Sequence, residues 1–186
     1  AISSSNRLRM SKSDNSLYIR SKSESLIVIV LYVDDLVIGG EHLINLNKFK
    51  YLISDKFEMT EMKELHYFLG FEVIQNPTGI MISQRHYILN LLYKFGMAEC
   101  KYVATPLDRN LKLDAYFGTT LCEPTRYQQL IGSLIYLMIT RPELNYPIGL
   151  LNQLMQTLCD IHMDCAKRVL RYVSDTMDYG ILYKTV

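Results

Sequence analysis

The sequence predicts an α+β fold, two β-hairpins with a helix, followed by a mostly helical half. Three observations carry this. The β-prone run "LIVIVLYV" (26–33) continues across two aspartates into "LVIGG" (36–40). The stretches "LHYFLGFEVIQ" (65–75) and "GIMIS" (79–83) flank "NPTG", whose Pro77 and Gly79 are turn residues. From about residue 84, apolar residues recur at helical spacing. A soft boundary near 84 therefore separates segment 1–83 from segment 84–186.

Residues 1–16 read as an irregular lead-in, "SLYIR" (16–20) as a short strand and "SKSES" (21–25) as a polar turn. The run 26–33 is the first strand of a hairpin, with Asp34 and Asp35 at or near its tip. The alternative is one long strand, which would aim the two carboxylates at opposite faces. "EHLINLNKFKYLISDKFE" (41–58) places Leu43, Leu46, Ile53 and Phe57 on one helical face. Residues 65–75 and 79–83 form the second hairpin. Ile88, Leu91, Leu92 and Phe95 mark a helix that Gly96 ends. Residues 100–124 form a long irregular connector. Tyr127, Leu130, Ile131, Leu134, Ile135 and Met138 line the next helix. Thr140 suits an N-cap with Pro142 in the first turn, and Pro147 should kink or restart that helix. Ala166, Val169, Leu170 and Val173 line a helix over 161–174, and "YGILY" (179–183) closes as a strand.

Bulk composition narrows the function classes. Hydrophobic residues make up 49% of 186, enough for a substantial core. Lys and Arg number 20 against 19 acidic residues, so no global charge points to nucleic acid, and any such contact needs a local basic surface. Cys100, Cys122, Cys159 and Cys165 form no C-x-x-C pair, and a reducing compartment is the simpler reading. Cys159, His162 and Cys165 resemble a metal cluster, yet steps of three spread them over a wide helical arc, which favours core packing. His42, His66, His86 and His162 are dispersed, and no Gly-rich phosphate loop is present. The apolar run 26–33 is too short to cross a bilayer as a helix. No signal peptide is evident, and the start at Ala1 suggests a piece of something longer.

The adjacent Asp34 and Asp35 carry the chemistry. Like charges this close repel, so an apolar setting calls for compensation, and a divalent cation supplies it. Mg²⁺ takes oxygen ligands and binds through one or two carboxylates plus substrate phosphates. A solvated turn is the plain alternative, since Asp is common in turns. The flanking strands favour the metal reading.

"LYVDDLVIGG" resembles the catalytic hairpin of reverse transcriptases, specifically those of copia-type long-terminal-repeat retrotransposons. The likeness runs on in order through "KFEMTEMKELHYFLGFEV" (56–73), "SQRHYILNLLYKFGMAECKYVATPL" (83–107), "YQQLIGSLIYLMITRPELNYPIGLLNQLM" (127–155) and "HMDCAKRVLRYVSDTMDYGILY" (162–183). The resemblance implies that segment 1–83 is the C-terminal part of a polymerase palm, and 84–186 a thumb and connecting region leading toward a ribonuclease H domain. Asp34 and Asp35 match the metal-binding, catalytic pair, which holds two Mg²⁺ ions in a complete enzyme. Tyr32 and Val33 match residues near the primer end and nucleotide. Phe68, Leu69 and Gly70 match the primer grip, with ordinary hairpin packing as the alternative for the first two. Gly70 reads as a strand glycine where another backbone comes close. Lys167, Arg168 and Arg171 form a basic cluster that either touches phosphates or is a solvated helix face. Implied partners are an RNA or DNA template-primer, deoxynucleotides, the N-terminal palm and fingers, and the ribonuclease H domain, with no membrane. The implied setting is intracellular, in a cytoplasmic virus-like particle.

The departures bear on activity. The family's cage needs a third carboxylate on an earlier strand. The only acids before the pair, Asp14 and Glu24, lie in Ser-rich polar stretches. Pro147 and Met163 also depart from the family pattern, which generally keeps an unbroken helix and a Trp there. The expectation is a polymerase fragment inactive by itself. The alternative is a non-catalytic transposon remnant that at most binds nucleic acid. A small metal-dependent nuclease ranks below both, since nothing supplies its other ligands.

Overall fold

The structure, a computed structural model, describes residues 8–22, 25–60, 64–108, 123–155 and 158–185. Its fold is α+β, with two four-stranded antiparallel sheets and five α-helices among the described residues. Two compact units divide between Leu65 and His66, not near residue 84. The cause lies in the last strand. β8 (Gly180–Lys184) pairs antiparallel with β7 (Gly79–Ser83), which binds the second hairpin to the helical half.

In the first unit, β1 (Arg9–Met10), β2 (Leu17–Lys22), β3 (Ser25–Tyr32) and β4 (Asp35–Gly40) form an antiparallel meander in chain order. Register sets the faces. Tyr18 pairs with Ile29, Arg20 with Ile27, and Ile29 with Ile38, so these side chains share one face. Ile27 and Ile29 are buried there beneath Phe49 of α1 (Leu43–Ser54), and the Arg20 guanidinium lies 5.2 Å from the Phe49 ring centre. The inward stripe of α1 is Leu46, Phe49 and Ile53. Leu43 and Phe57, expected on that stripe, are exposed, and Phe57 lies beyond the helix end. Leu46 and Ile53 do face inward as expected, and only the two ends of the expected face depart from it.

In the second unit, the expected strand 65–75 is broken in two. β5 (Tyr67–Phe68) and β6 (Phe71–Asn76) pair across a two-residue turn at Leu69 and Gly70. Both have positive φ, 51° and 86°, which is the type I′ hairpin pattern. Gly70 is therefore a turn glycine, not a strand glycine. The close approach of a second backbone falls instead at Gly79, where a Cβ would collide with the Tyr183 carbonyl.

The helices α2 (Arg85–Lys94), α3 (Pro124–Leu137), α4 (Asn145–Gln153) and α5 (Asp160–Asp175) enclose the larger core. α2 ends in a Schellman motif: the Gly96 N–H donates to Tyr93 O at 3.1 Å and the Met97 N–H to Leu92 O at 2.8 Å, with Gly96 at φ 67°. Tyr127, Leu130, Ile131 and Leu134 are fully buried, whereas Ile135 faces out. Thr140 caps no helix; its hydroxyl donates to Gln84 Oε1 at 2.7 Å. A 3-10 turn over Pro142–Leu144 precedes α4, so Pro147 sits in the first turn of a restarted helix, where an amide donor is not needed. Among the described residues Arg141 is the largest fully buried side chain. Its Nε donates to Glu143 at 2.6 Å, and Nη1 and Nη2 donate to Thr176 O and Oγ1 at 2.9 and 2.6 Å. Cys159 caps α5: its N–H donates to His162 Nδ1 at 3.2 Å. Among the described residues no helix is long and apolar enough to cross a membrane.

Burial raises the pKa of three groups in this unit. The Tyr127 hydroxyl, which donates to Leu151 O at 2.8 Å, is pushed far up by burial with a contribution from Cys165. The Cys165 thiol is pushed up by burial and Asp164, against a smaller opposite pull from Arg168. Tyr87 is raised by burial, against the hydrogen bond to Ser133. Each folded group keeps a proton that the unfolded chain releases. Stability is thus full below the ordinary values, 9.0 for the thiol and 10.0 for the phenols, and falls as pH rises above them. Urea midpoints should drop between pH 8 and pH 11, and an unchanged midpoint would contradict this.

Candidate functional site

The β3–β4 turn is two residues long, Val33 and Asp34, closed by the Tyr32–Asp35 pair. Asp34 lies in the turn and Asp35 opens β4, so the chain bends between the strands and no single long strand forms. Val33 has φ 50°, and of the two turn residues it alone is positive, the type II′ pattern that normally takes glycine first. A β-branched residue there is strained by about 1–3 kcal/mol. It is also 80% exposed, so packing within the first unit does not hold it. Val33→Gly should stabilise the first unit by about 1 kcal/mol after glycine's own backbone entropy is counted. Slower amide exchange at Ile27 and Ile29 would show this, and faster exchange would count against strain at Val33.

Asp35 shares a sheet face with Tyr32, Val30, Val37 and Val28, opposite the face that α1 covers. Asp34 and Asp35 are both exposed, and neither carboxylate hydrogen-bonds or pairs with another described residue. Strand polarity brings a third acid to the same end of the sheet. The Leu31 N–H donates to Ser16 O at 2.9 Å, so the loop holding Asp14 lies beside the end of β3. Asp14 is committed locally, however. Its Oδ1 accepts from the Ser16 hydroxyl at 2.6 Å and the Ser16 N–H at 2.8 Å, and these bonds hold its pKa below the usual carboxylate value. Among the described residues no three His, Cys, Asp or Glu side chains group as a metal site. The donors at the turn suit a hard cation such as Mg²⁺, as two of its ligands and not as a full cage. Glu24 and Cys122 lie outside the described residues, as does the connector over 109–122.

The other candidates fall in the second unit. Phe68 pairs with Phe71, and Leu69 and Gly70 form the turn between them. On α5 the basic cluster is divided by its contacts. Arg168 donates to Thr105 Oγ1 at 3.1 Å and Thr105 O at 3.2 Å, which fastens the connector to the helix. Lys167 lies 3.9 Å from Asp164, and Arg171 is exposed. Cys159, Cys165 and His162 are buried, with His162 serving as a capping residue. Sequence reasoning passed over Tyr136. Its hydroxyl donates to Leu69 O at 2.9 Å, and its ring meets those of Phe71 and Tyr87. The available signal was a tyrosine on α3 outside the apolar stripe.

Residues 2–109 match the family described as reverse transcriptase (RNA-dependent DNA polymerase). The chain is 42% identical over 172 residues to the retrovirus-related Pol polyprotein from transposon RE2 of Arabidopsis thaliana, covering 92% of this chain and 12% of that protein. It is 40% identical over 174 residues to the Pol polyprotein from transposon RE1 of the same plant, covering 94% of this chain and 12% of that one. It is also 36% identical over 156 residues to the uncharacterized mitochondrial protein AtMg00810 of Arabidopsis thaliana, covering 82% of this chain and 63% of that protein. No solved structure matches it significantly. The chain belongs to the reverse transcriptase family, in its copia-type retrotransposon branch. It spans about 12% of the RE1 and RE2 polyproteins.

Proposed function

We propose that this chain supplies the carboxylate pair and the primer-holding turn of an RNA-directed DNA polymerase, and that it needs a longer Pol chain to act. The observation that carries this is the Val33–Asp34 turn, which projects two adjacent carboxylates, bonded to no described residue, from the end of a four-stranded sheet. Asp34 and Asp35 hold Mg²⁺. The chemistry Mg²⁺ supplies at such a site is stabilisation of charge on the attacking and leaving oxygens of nucleotidyl transfer. Tyr32 and Val33, on the same hairpin, face the primer end and the incoming nucleotide. Leu69 and Gly70 hold the primer strand, and Lys167 and Arg171 meet backbone phosphates. The ligands are an RNA or DNA template-primer and deoxynucleotides. The remaining palm, the fingers and a ribonuclease H domain complete the protein, which works inside a cytoplasmic particle.

With Asp14 bound to Ser16, two carboxylates make half a cage, and positioned charge is most of the work in phosphoryl transfer. The isolated chain therefore does not extend a primer. Primer extension with Mg²⁺ on a recessed duplex tests this, and extension by the 186 residues alone would overturn the incomplete-site reading. A second reading, a non-catalytic remnant, draws support from the match to AtMg00810, a much shorter protein than the Pol polyproteins, of which this chain spans 63%. Both readings leave filter binding of nucleic acid unchanged by Asp34→Asn with Asp35→Asn; on the remnant reading a longer Pol chain carrying this segment also extends no primer.

A further inference from the structure

We infer that Tyr136 is a positioning residue, one that sets the Leu69–Gly70 turn in the geometry that receives the primer's 3′ end. This deepens the proposed function and rests on its assignment of that turn to the primer.

The turn cannot hold its shape by itself. Leu69 has a left-handed backbone, φ 51°, which disfavours any residue with a Cβ. β5 contributes only two residues, Tyr67 and Phe68, so the strand ladder gives it little support. The Leu69 carbonyl accepts instead from the Tyr136 hydroxyl at 2.9 Å. Gly70 is fitted to the same atom: a Cβ there would stand 2.7 Å from Tyr136 Oη. Turn and hydroxyl thus require each other.

Tyr136 is itself fixed on several sides. Its ring lies edge-on to Tyr87 with centroids 4.9 Å apart, and 5.8 Å from the Phe71 ring. Tyr87 is tied back to α3 by a 3.1 Å hydrogen bond from its hydroxyl to Ser133 O. The Tyr136 carbonyl accepts from Gln84 Nε2 at 3.4 Å, and Gln84 Oε1 accepts from the buried Thr140 hydroxyl. A polar chain therefore runs from Thr140 through Gln84 to the Tyr136 backbone carbonyl and anchors the residue whose hydroxyl meets the turn. Simple packing would need the ring but not the Oη contact.

The test uses Tyr136→Phe, which keeps the ring, together with Gly70→Ala and the double variant. The probes are a labelled DNA primer recessed on an RNA template and the blunt duplex of the same sequence, with amide exchange over 67–73 measured in parallel. Tyr136→Phe should speed exchange at Gly70 and Phe71 about fivefold, the loss of one net hydrogen bond. It should lower affinity for the recessed duplex several-fold and leave the blunt one unaffected. Gly70→Ala should be worse alone than in the Tyr136→Phe background, because removing Oη clears the space for the new methyl. A wild-type chain that binds both duplexes equally sinks the primer assignment and this inference with it. A wild-type preference that Tyr136→Phe leaves intact sinks the inference alone. Strictly additive effects of the two substitutions also overturn it.

Discussion

Replacing Asp34 and Asp35 together by asparagine, in a Pol chain carrying the remaining polymerase elements, is expected on the proposed function to lower nucleotide addition by about 10³-fold or more. The magnitude follows from what the substitution removes. Asparagine keeps the size and the turn preference of aspartate, so the β3–β4 hairpin and its Tyr32–Asp35 register position survive. The negative charge that attracts a hard cation is gone. Because neither carboxylate bonds to a described residue, neutralising both costs the fold little, and removing their mutual repulsion slightly favours it. Affinity for template-primer should change by less than about twofold, since phosphate contacts come from cationic and polar side chains. Single-turnover extension measures the loss. Activity within tenfold of the parent would mean that the pair does not serve catalysis.

Arg141→Ala should destabilise the second unit by about 3–5 kcal/mol. The guanidinium is 1% exposed and satisfies Thr176 O and Oγ1, which link the end of α5 to the entry of α4. Glu143 is 40% exposed, so water screens part of that ion pair, and the ion pair is the smaller share. Most of the cost comes from two Thr176 oxygens losing a buried donor and from the cavity left beside Tyr172 and Tyr179, whose ring centres lie 5.7 and 5.3 Å from the guanidinium carbon. Arg141→Lys should recover less than half, since a single ammonium cannot reach Glu143 and both Thr176 oxygens with one planar fork. Urea unfolding followed by circular dichroism decides it. A loss below 1 kcal/mol would show that water replaces those bonds.

Sequence was most informative where one local rule governs. The hairpin over 26–40 could be read from a β-branched run, two charges and paired glycines. α2 could be read from its stripe and from Gly96, because only a left-handed C′ residue completes the Schellman bonds seen there. The family likeness rested on several blocks in order, and the comparisons bear it out. Long-range partners were not legible. Nothing local in Ser83 or Gly180 says that they pair, and that pairing moves the division of the chain to Leu65. The break at Leu69 was missed because leucine carries no signal for positive φ; only Gly70 beside it does. Thr140 looked like a cap because of Pro142, yet Gln84 claims its hydroxyl. Asp14, discounted on its Ser-rich surroundings, does reach the same sheet end as the pair, but Ser16 satisfies its Oδ1 first.

The most direct measurement of the central idea needs no turnover. Mn²⁺, a paramagnetic substitute for Mg²⁺, is titrated into the ¹⁵N-labelled chain while amide signals are followed. Broadening should centre on residues 32–36, with millimolar affinity befitting two ligands, and should vanish in the Asp34→Asn, Asp35→Asn variant. Broadening that leaves the hairpin tip untouched, or that persists there in the variant, would contradict a cation-holding role for these two aspartates.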